Sequence, residues 1–365
     1  MSREFSEGAG GLRVLHVVPA VFGPGGVLGG AERYALELAR SMAGAASTRL
    51  LSFGDHERSF VDGALPIRVI GRTHYVRGQK FNPFSLSVLP ELLDADVIHC
   101  HQKHIAISTF LGMAGRAARK RVFVTDLGGG GWDISSYVST DRLFNGHLHI
   151  SEYSRRVFGH STNRRARVIG GGVDIEKFSP NGLPRENKVL YVGRLLPHKG
   201  IDVLIRAMPA DLELEIIGRP YDTRYFDDLR RLAEGKRVIF RQNCGDAQLI
   251  DAYRSALCIV LPSVYTDMYG ATTAVPELLG QTLLEGMACG TPAIGTDVAS
   301  IPEIIEDCES GFVVSPDDPA ALGERIARLA ADRELGRRMG LAARERVLAG
   351  FRWDAVVRRC LEAYN

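Results

Sequence analysis

Two cations lie in a glycine-bounded segment in the second half of the chain. Residues 193–200 have the sequence GRLLPHKG; a strand-like apolar run precedes them and a helix-like segment follows. In open parallel sheets, ligands bind at the carboxyl ends of strands. Arg194 can contact two oxygens at once and Lys199 supplies a point charge, so the pair suits a diphosphate. A turn with two solvated cations is the alternative.

Two glutamates lie at the start of a predicted helix further along the chain. Gly280 interrupts the chain before a helix over 281–288; Glu277 precedes this helix and Glu285 lies about one turn inside it. The free N–H groups and the positive dipole end of a helix favour an anion. Carboxylates beside them can accept hydrogen bonds from sugar hydroxyls. Exposed or salt-bridged glutamates without such a role are the alternative.

The elements that position these residues alternate between strand and helix. In the first half a strand over 12–18, a glycine-rich loop and a helix over 31–42 come first. Further strands are predicted at 49–53, 67–70, 97–100, 121–125, 146–150 and 167–169. In the second half they are predicted at 188–192, 214–217, 238–240, 257–261, 293–295 and 312–314. This alternation is typical of an α/β fold with parallel sheets built from βαβ units.

Length and composition set the number of domains and the class of protein. A chain of 365 residues exceeds what one hydrophobic core usually supports, so two domains are expected. A glycine- and proline-rich linker over 170–184 separates them. We find no run of roughly 18 apolar residues that could span a bilayer, and the polar residues 1–10 resemble a frayed tail rather than a signal peptide. A cytoplasmic location follows as an expectation.

The charge is unevenly divided along the chain. Residues 1–178 have a net positive charge and the remainder a net negative one. A basic first domain fits an anionic partner, including peripheral contact with an anionic membrane at its inner face; a solvated arginine-rich face is the alternative. The basic stretches 116–121 and 155–167 contain few aromatic residues, which argues against nucleic-acid binding.

Several patterns in the sequence are misleading. The glycines of 23–30 do not match a dinucleotide-binding fingerprint, so a dehydrogenase is not expected. Asp94 and Asp96 form a D-x-D pair, but they precede their strand, whereas a metal–phosphate site lies at its carboxyl end. His99, His101 and His104 lack an evident ligand set. The six scattered cysteines fit neither disulfides nor zinc. We expect no catalytic metal and no cofactor.

The paired glutamates resemble the E-x7-E signature of family 4 glycosyltransferases, which are retaining, nucleotide-sugar-dependent enzymes with the GT-B fold. The resemblance runs from Arg13 to Tyr364. It includes Gly29 and Gly30, which are similar to the family's first loop, as well as residues 168–180, the 193–200 segment and residues 351–354. It implies two Rossmann-like, doubly wound domains facing each other across a cleft. Their predicted bounds are 1–178, joined by the C-terminal helix 352–365, and 179–351.

The resemblance also implies roles for individual residues. Arg194 and Lys199 hold the donor diphosphate, Glu285 binds the nucleotide ribose and Glu277 binds a hydroxyl of the transferred sugar. Backbone amides complete the site; they belong to Gly29, Gly30, Gly280, Gln281 and Thr282. A histidine of the strand 97–101 faces the reacting sugar. We favour His101, although strand alternation places His99 on the same side and a structural histidine is equally compatible.

Two departures from the family pattern concern the donor. Relatives commonly have Glu-Pro-Phe-Gly where this chain has Glu-Leu-Leu-Gly at 277–280, and the loop 263–276 is longer than usual. We expect Tyr265, Asp267 or Tyr269 to reach the sugar; a surface excursion packed by its own tyrosines is the alternative. The departures leave the identity of the donor open.

The predicted function is metal-independent transfer of a hexose, with retention, from a UDP- or GDP-linked donor to an acceptor hydroxyl. The acceptor is a glycan, a glycolipid or a small-molecule glycoside, and the sequence does not choose among them. Two alternatives remain: a sugar-nucleotide 2-epimerase of the same fold, and a non-catalytic nucleotide-sugar-binding protein.

Overall fold

Short apolar runs form the strands and amphipathic segments form the helices that connect them. A computed structural model describes residues 11–21, 29–128, 131–182 and 184–365. The strands are β1 (Arg13–Val21), β2 (Ser47–Phe53), β3 (Arg58–Asp62), β4 (Leu65–Ile70), β5 (His74–Tyr75), β6 (Pro83–Phe84), β7 (Val97–His101), β8 (Arg121–Thr125), β9 (Gly146–His149), β10 (Ala166–Val168), β11 (Lys188–Val192), β12 (Glu213–Ile217), β13 (Val238–Arg241), β14 (Cys258–Leu261), β15 (Ala293–Thr296) and β16 (Gly311–Val314). The α-helices are α1 (Gly30–Met42), α2 (Leu89–Asp94), α3 (Ala106–Ala117), α4 (Glu152–Val157), α5 (Ile201–Ala207), α6 (Thr223–Leu232), α7 (Asp246–Ser255), α8 (Gln281–Ala288), α9 (Ile301–Ile304), α10 (Pro319–Ala331), α11 (Arg333–Gly350) and α12 (Trp353–Tyr364).

The chain folds into two compact units. Unit 1 extends to Gly172 and includes Trp353–Asn365, and unit 2 is Val173–Arg352. Helix α12 therefore belongs with the N-terminal sheet, although it is the last element of the chain. Its Trp353 ring meets Tyr34 of α1 edge to face, with the ring centroids 5.2 Å apart.

The sheet of unit 1 has the strand order β10-β9-β8-β7-β1-β2-β4-β3, and its pairs are parallel except for the edge pair β3–β4. Alternate residues of the central strand β1 enter different cores. Leu15 and Val17 pack in a cluster that includes Leu111 of α3, whereas Val18 packs in one that includes Ala35 of α1. Burial on both faces explains why β1 is a continuous apolar run.

The sheet of unit 2 is parallel throughout, with the order β13-β12-β11-β14-β15-β16. Numbered within the unit, this is the 3-2-1-4-5-6 order of a Rossmann fold. The direction of winding reverses between β11 and β14. Doubly wound sheets bind their ligands at such a switch point, outside the carboxyl ends of the strands.

The predicted strands of both halves are present in the structure, and their ends move by up to three residues. Strands β3, β5 and β6 were missed. β3 lies at the sheet edge with three of its five residues exposed, so it lacks the apolar pattern of a buried strand. The residues 1–10 and 23–28, to which the frayed tail and the misleading glycine motif were assigned, lie outside the described part of the chain.

The D-x-D pair has a structural role. Asp94 ends α2 and Asp96 precedes β7, as expected from the sequence. The Arg13 guanidinium donates hydrogen bonds to both carboxylates, at 2.8–3.2 Å. Its hydrogen bonds lower the pKa of Asp96 to about 2. The pair thus ties the start of β1 to the start of β7.

Two expectations about the chain as a whole can be compared with the structure. The six cysteines have free thiols, and Cys258 and Cys289 are among the buried ones. Among the described residues, none of the helices combines the length and the apolar character that crossing a bilayer demands.

Candidate functional site

The loops after β11 and β14 meet at the switch point of unit 2. The loop after β11 carries Arg194 and Lys199, and Pro262 and Ser263 follow β14. The Val264 amide donates to the carbonyl of His198 across a distance of 2.9 Å. The two loops therefore form one surface at the carboxyl ends of the central strands.

Gly200 allows this close approach. Its φ is +64°, a left-handed conformation that side chains disfavour, and a Cβ at this position would lie 2.0 Å from the carbonyl oxygen of Pro262. Any larger residue would push the two loops apart. The glycine that ends the 193–200 segment is therefore needed to keep Lys199 beside the loop after β14.

Lys199 forms an ion pair with Glu277. Its Nζ lies 2.8 Å from Glu277 Oε2 and 2.9 Å from the carbonyl oxygen of Pro276, and the lysine is 8% exposed. The loop after β11 is thereby tied to the segment before α8. This contact brings together two of the residues that the sequence singled out separately.

Glu277 remains ionised in this position. Burial by itself raises the pKa of its carboxyl, but the Lys199 ammonium and the amides of Gly280 and Leu279 more than compensate, and the net shift is downward. The Gly280 N–H donates to Oε1 at 3.1 Å. Each carboxylate oxygen thus has a donor, and the negative charge is fixed in place.

The first turn of α8 begins at this carboxylate. Gly280 is the N-cap residue and has a φ of +77°, and Gln281 and Thr282 are half-buried in the first turn. The first N–H groups of a helix have no partner within it, and they favour an anion or a polar ligand. Of the three amides predicted to contact the donor, that of Gly280 is already bound by Glu277.

Glu285 is placed differently from Glu277. It is 2% exposed, and its Oε2 accepts a hydrogen bond of 2.8 Å from the Tyr253 hydroxyl of α7. A ribose at this carboxylate must therefore share it with Tyr253. The predicted role of Glu285 in nucleotide binding remains a prediction.

Arg194 is exposed at the rim of the same surface, with its guanidinium carbon 5.8 Å from the centre of the Tyr221 ring. Beside it, burial together with the charges of Lys199 and Arg194 lowers the pKa of His198 to about 4. His198 is therefore neutral at pH 7. The positive charge of the 193–200 loop therefore comes from Arg194 and Lys199.

The loop 263–276 is held by hydrogen bonds within itself and to neighbouring segments of unit 2. Asp267 Oδ1 accepts from the amides of Tyr269 and Ala271, at 2.9 and 3.0 Å. The Tyr269 hydroxyl donates to Asp228 of α6, and the Tyr265 hydroxyl accepts from the Ala299 amide at 2.9 Å. All three residues predicted to reach the sugar thus have partners within unit 2.

Two residues near the switch point, Ser263 and Tyr253, were not identified from the sequence as candidate site residues. Ser263 is fully buried, and its Oγ has no hydrogen-bond partner among the described residues. Tyr253 carries no motif of its own. The signal for Ser263 was its position two residues after the predicted strand 257–261, whereas nothing local could have linked Tyr253 to Glu285.

Unit 1 places His101 inside a buried histidine cluster. His101 Nε2 lies 2.8 Å from His16 Nδ1 of β1, and His101 is 2% exposed. His99 is buried beside it, bound to the hydroxyls of Thr125 and Tyr364 at 2.7 Å each. His99 and His101 lie on the same side of β7, as strand alternation predicted. His104 does not belong to this cluster, and its Nδ1 lies 2.8 Å from the Ser135 hydroxyl. A sugar-facing role for His101 remains a prediction.

Gly29 and Gly30 begin α1. The Gly29 amide donates to Glu32 Oε2 at 2.9 Å, and Gly30 is the exposed first residue of the helix. A phosphate that binds the Gly29 amide must displace the Glu32 carboxylate. Gly30 lies at the positive end of the helix dipole, where an anion is favoured.

Known proteins match this chain in both sequence and fold. The sequence model of the family described as glycosyl transferases group 1 matches residues 173–346. The chain is 28% identical over 262 residues to the D-inositol 3-phosphate glycosyltransferase of Streptomyces avermitilis, over 64% of this chain and 53% of the relative. It is 28% identical over 272 residues to the alpha-maltose-1-phosphate synthase of Mycobacterium tuberculosis, over 65% of this chain and 67% of the relative. The chain spans about half to two thirds of the length of these curated relatives.

Solved structures match nearly the whole chain. Anabaena HepE, in complex with UDP and glucose, superposes with a TM-score of 0.71 at 18% identity, over 96% of this chain and 98% of that protein. The sucrose-phosphate synthase of Thermosynechococcus elongatus superposes with a TM-score of 0.70 at 22% identity, over 97% and 98%. At these identities the likeness concerns the fold, which is that of two Rossmann-like domains in the GT-B class.

Proposed function

Because the chain belongs to the family of group 1 glycosyl transferases, family 4 among the glycosyltransferases, we propose that it transfers a hexose from a nucleoside-diphosphate sugar to an acceptor hydroxyl with retention. The donor is a UDP- or GDP-linked hexose. The acceptor is a glycan, a glycolipid or a small-molecule glycoside.

The observation that carries this proposal is the Lys199–Glu277 pair at the switch point of unit 2. It places a cation and a carboxylate 2.8 Å apart, at the edge of the sheet where doubly wound folds bind nucleotides. The cation suits the diphosphate and the carboxylate suits a sugar hydroxyl. One donor can therefore contact both groups.

The proposed chemistry relies on charge stabilisation. As the glycosidic bond breaks, positive charge develops on the sugar and negative charge on the leaving diphosphate. Arg194, Lys199 and the N-terminus of α8 stabilise the diphosphate, which is the main catalytic contribution we propose, and no metal is assigned to this step. Both glutamates are assigned to donor binding, which favours same-face substitution over a covalent glycosyl–enzyme intermediate. His101 is proposed to face the sugar.

The proposal can be tested with two substitutions at the pair. Glu277→Gln removes the charge but keeps the shape, and Lys199→Met removes the cation. We expect each to lower the rate of nucleoside diphosphate release by about a hundredfold or more, because each removes one preorganised electrostatic contact. The measurement follows release from a panel of UDP-, GDP- and ADP-hexoses, after donors have been ranked by their effect on Tm.

Lys177→Met is the matched control for this test. It breaks an ion pair in the same unit, Lys177–Asp246 at 2.6 Å, but an exposed one. Its release rate should equal that of the unsubstituted protein. Circular dichroism shows whether each variant is folded. Turnover like that of the unsubstituted protein in Glu277→Gln or Lys199→Met would refute the assignment.

The products distinguish the proposed transfer from its two alternatives. A 2-epimerase yields a changed sugar or sugar nucleotide without any acceptor, and a non-catalytic binding protein raises its Tm with the donor but releases no nucleoside diphosphate. A transferase yields a glycoside whose anomeric configuration matches that of the donor. Analysis of the products with and without acceptor therefore decides among the three.

A further inference from the structure

Unit 1 contains a second cluster of histidines, on the side of β9. His147 lies in β9, His160 follows α4, and Asp141 precedes β9 in a short 3-10 helix. One ligand atom from each of these residues lies within 4.8 Å of the others. His16, His99 and His101 form another such group. In that group, however, all three histidines are buried, and among the described residues the group includes no carboxylate.

The geometry around Asp141 is close to that of a metal site. Its Oδ2 lies 3.6 Å from His160 Nε2 and its Oδ1 lies 3.9 Å from His147 Nε2. Tetrahedral ligands with bonds of about 2.0–2.1 Å lie roughly 3.3 Å from each other, so shifts below about 1 Å would close the site. The Asp141 side chain is 35% exposed, which provides a path for an ion from solvent.

The His160 imidazole is oriented as a ligand needs to be. Its Nε2 faces the site, is buried and has no hydrogen-bond partner among the described residues. Its Nδ1 lies 2.9 Å from Nε2 of His149, which is also buried. Metal-bound histidines almost always donate their second ring N–H to an acceptor, which fixes the tautomer and the ring orientation, and His149 Nε2 can be the acceptor here.

We propose that Asp141, His147 and His160 bind a divalent transition-metal ion, with Zn²⁺ the best match, and that His149 orients His160. Two imidazoles and one carboxylate form a ligand set that zinc accepts, with a fourth position left for water. The ion fastens the segment between β8 and β9 to β9 itself and to the turn after α4. Nothing in the donor site of unit 2 depends on it.

Lys103 opposes metal binding and thereby offers a test of its own. Its Nζ lies 2.5 Å from Asp141 Oδ1, whereas Oδ2 is the oxygen that faces His160. The Asp141 carboxylate can thus contact Lys103 through one oxygen and a metal ion through the other, but the positive charge of Lys103 repels the ion. Lys103→Met is expected to tighten Zn²⁺ binding, by about tenfold or more.

The main experiment follows the unfolding of unit 1 by tryptophan fluorescence. The chain has two tryptophans, Trp132 and Trp353, and both belong to unit 1. The full-length protein is freed of metal with a chelator, and the chelator is then removed. Zinc sulfate at about a hundred times the Kd should raise the Tm by roughly 5–10 °C. Co²⁺ should give the visible d–d bands of a tetrahedral site.

The variants locate the ion. His160→Asn should abolish both the Tm rise and the Co²⁺ bands, and Asp141→Asn, which changes a partly exposed residue, repeats the test should His160→Asn fail to fold. His149→Asn should weaken Zn²⁺ binding about 10- to 100-fold. His74→Asn removes an exposed histidine and should behave like the unsubstituted protein.

Two outcomes would overturn the proposal. One is that Zn²⁺ leaves the Tm of the metal-free protein unchanged and Co²⁺ produces no tetrahedral bands. The other is that the folded His160→Asn and Asp141→Asn variants keep the full response, which would place the ion elsewhere, for instance at His16, His99 and His101.

Discussion

Lys199 and Glu277 form an ion pair at the switch point of unit 2. Each is largely withdrawn from water, and removing one partner of such a pair leaves the other charge uncompensated, which commonly costs 3–5 kcal/mol. Burial raises the pKa of Glu277, but the Lys199 ammonium more than offsets this, so the carboxylate is ionised in the absence of donor. If a diphosphate binds Lys199, as proposed above, the lysine must divide its hydrogen bonds between the phosphate and Glu277.

At the same scale, the Tyr253–Glu285 contact allows a stability prediction. Tyr253→Phe removes the hydroxyl that donates to the buried carboxyl, so we expect the free energy of unfolding to fall by about 1–3 kcal/mol. Urea unfolding followed by circular dichroism measures this change. Tyr221→Phe, which removes an exposed hydroxyl from the same unit, should have an effect below about 0.5 kcal/mol. Equal effects of the two substitutions would mean that the contact contributes nothing.

At the scale of elements, the site is formed where loops from separate strands meet. The loop after β11, the loop after β14 and the first turn of α8 each contribute one part. None of them could hold the Lys199–Glu277 contact alone, because the two residues are 78 positions apart in the chain. Close backbone approach is therefore as important to the site as its charged side chains.

Gly200→Ala tests this requirement. The added Cβ would clash with the Pro262 carbonyl and would occupy a left-handed conformation, so we expect a loss of at least about 2 kcal/mol of stability. Gly235→Ala is a matched control, because Gly235 also has a positive φ, of +74°, but nothing lies within 4 Å of its added Cβ. It should cost only about 1 kcal/mol. Urea unfolding compares the two, and a similar loss in both would rule out the close approach as the cause.

At the scale of the whole molecule, the buried histidines set the acid stability of unit 1. Burial lowers the pKa of His16 to about 3. Burial and the neighbouring histidines lower the pKa of His99 and of His101 well below the usual value. These groups are neutral in the folded protein, whereas in the unfolded chain they titrate near pH 6.5.

This difference predicts that unit 1 loses stability on acidification. As the pH falls below about 6.5, the unfolded chain binds protons that the folded state does not bind until the pH approaches 3 at His16, so the free energy of unfolding decreases. Between pH 7 and pH 5 each such histidine should remove about 2 kcal/mol. Urea unfolding followed by tryptophan fluorescence measures this change, since both tryptophans belong to unit 1.

His16→Asn should make this pH dependence shallower by about 2 kcal/mol over the same interval, whatever its effect on stability at pH 7. His74→Asn, at an exposed position, should leave the pH dependence unchanged. If the free energy of unfolding of His16→Asn has the same pH dependence as that of the unsubstituted protein, His16 already binds a proton in the folded state between pH 7 and pH 5. That result would contradict the lowered pKa of His16.

The sequence by itself determined most of the strands and helices and the chemical types of the candidate site residues. Runs such as 121–125 and 188–192 predict strands whose first and last residues agree with the structure. They are recognisable because burial on both faces demands continuous apolar side chains. The glycine before 281–288 and the pattern after it likewise predict helix α8 correctly. The family resemblance and the two Rossmann-like domains followed from these local signals.

Only the tertiary structure decided which groups meet. It paired Lys199 with Glu277, enclosed Glu285 beside Tyr253, and brought His16 within hydrogen-bonding distance of His101 across 85 positions. A short sequence window sets backbone conformation and burial, but the contacts between distant residues depend on strand order and on the separation of the loops. Those are fixed only when the sheets assemble, which is why the sequence could propose candidate residues for the site but not the partners that these residues contact.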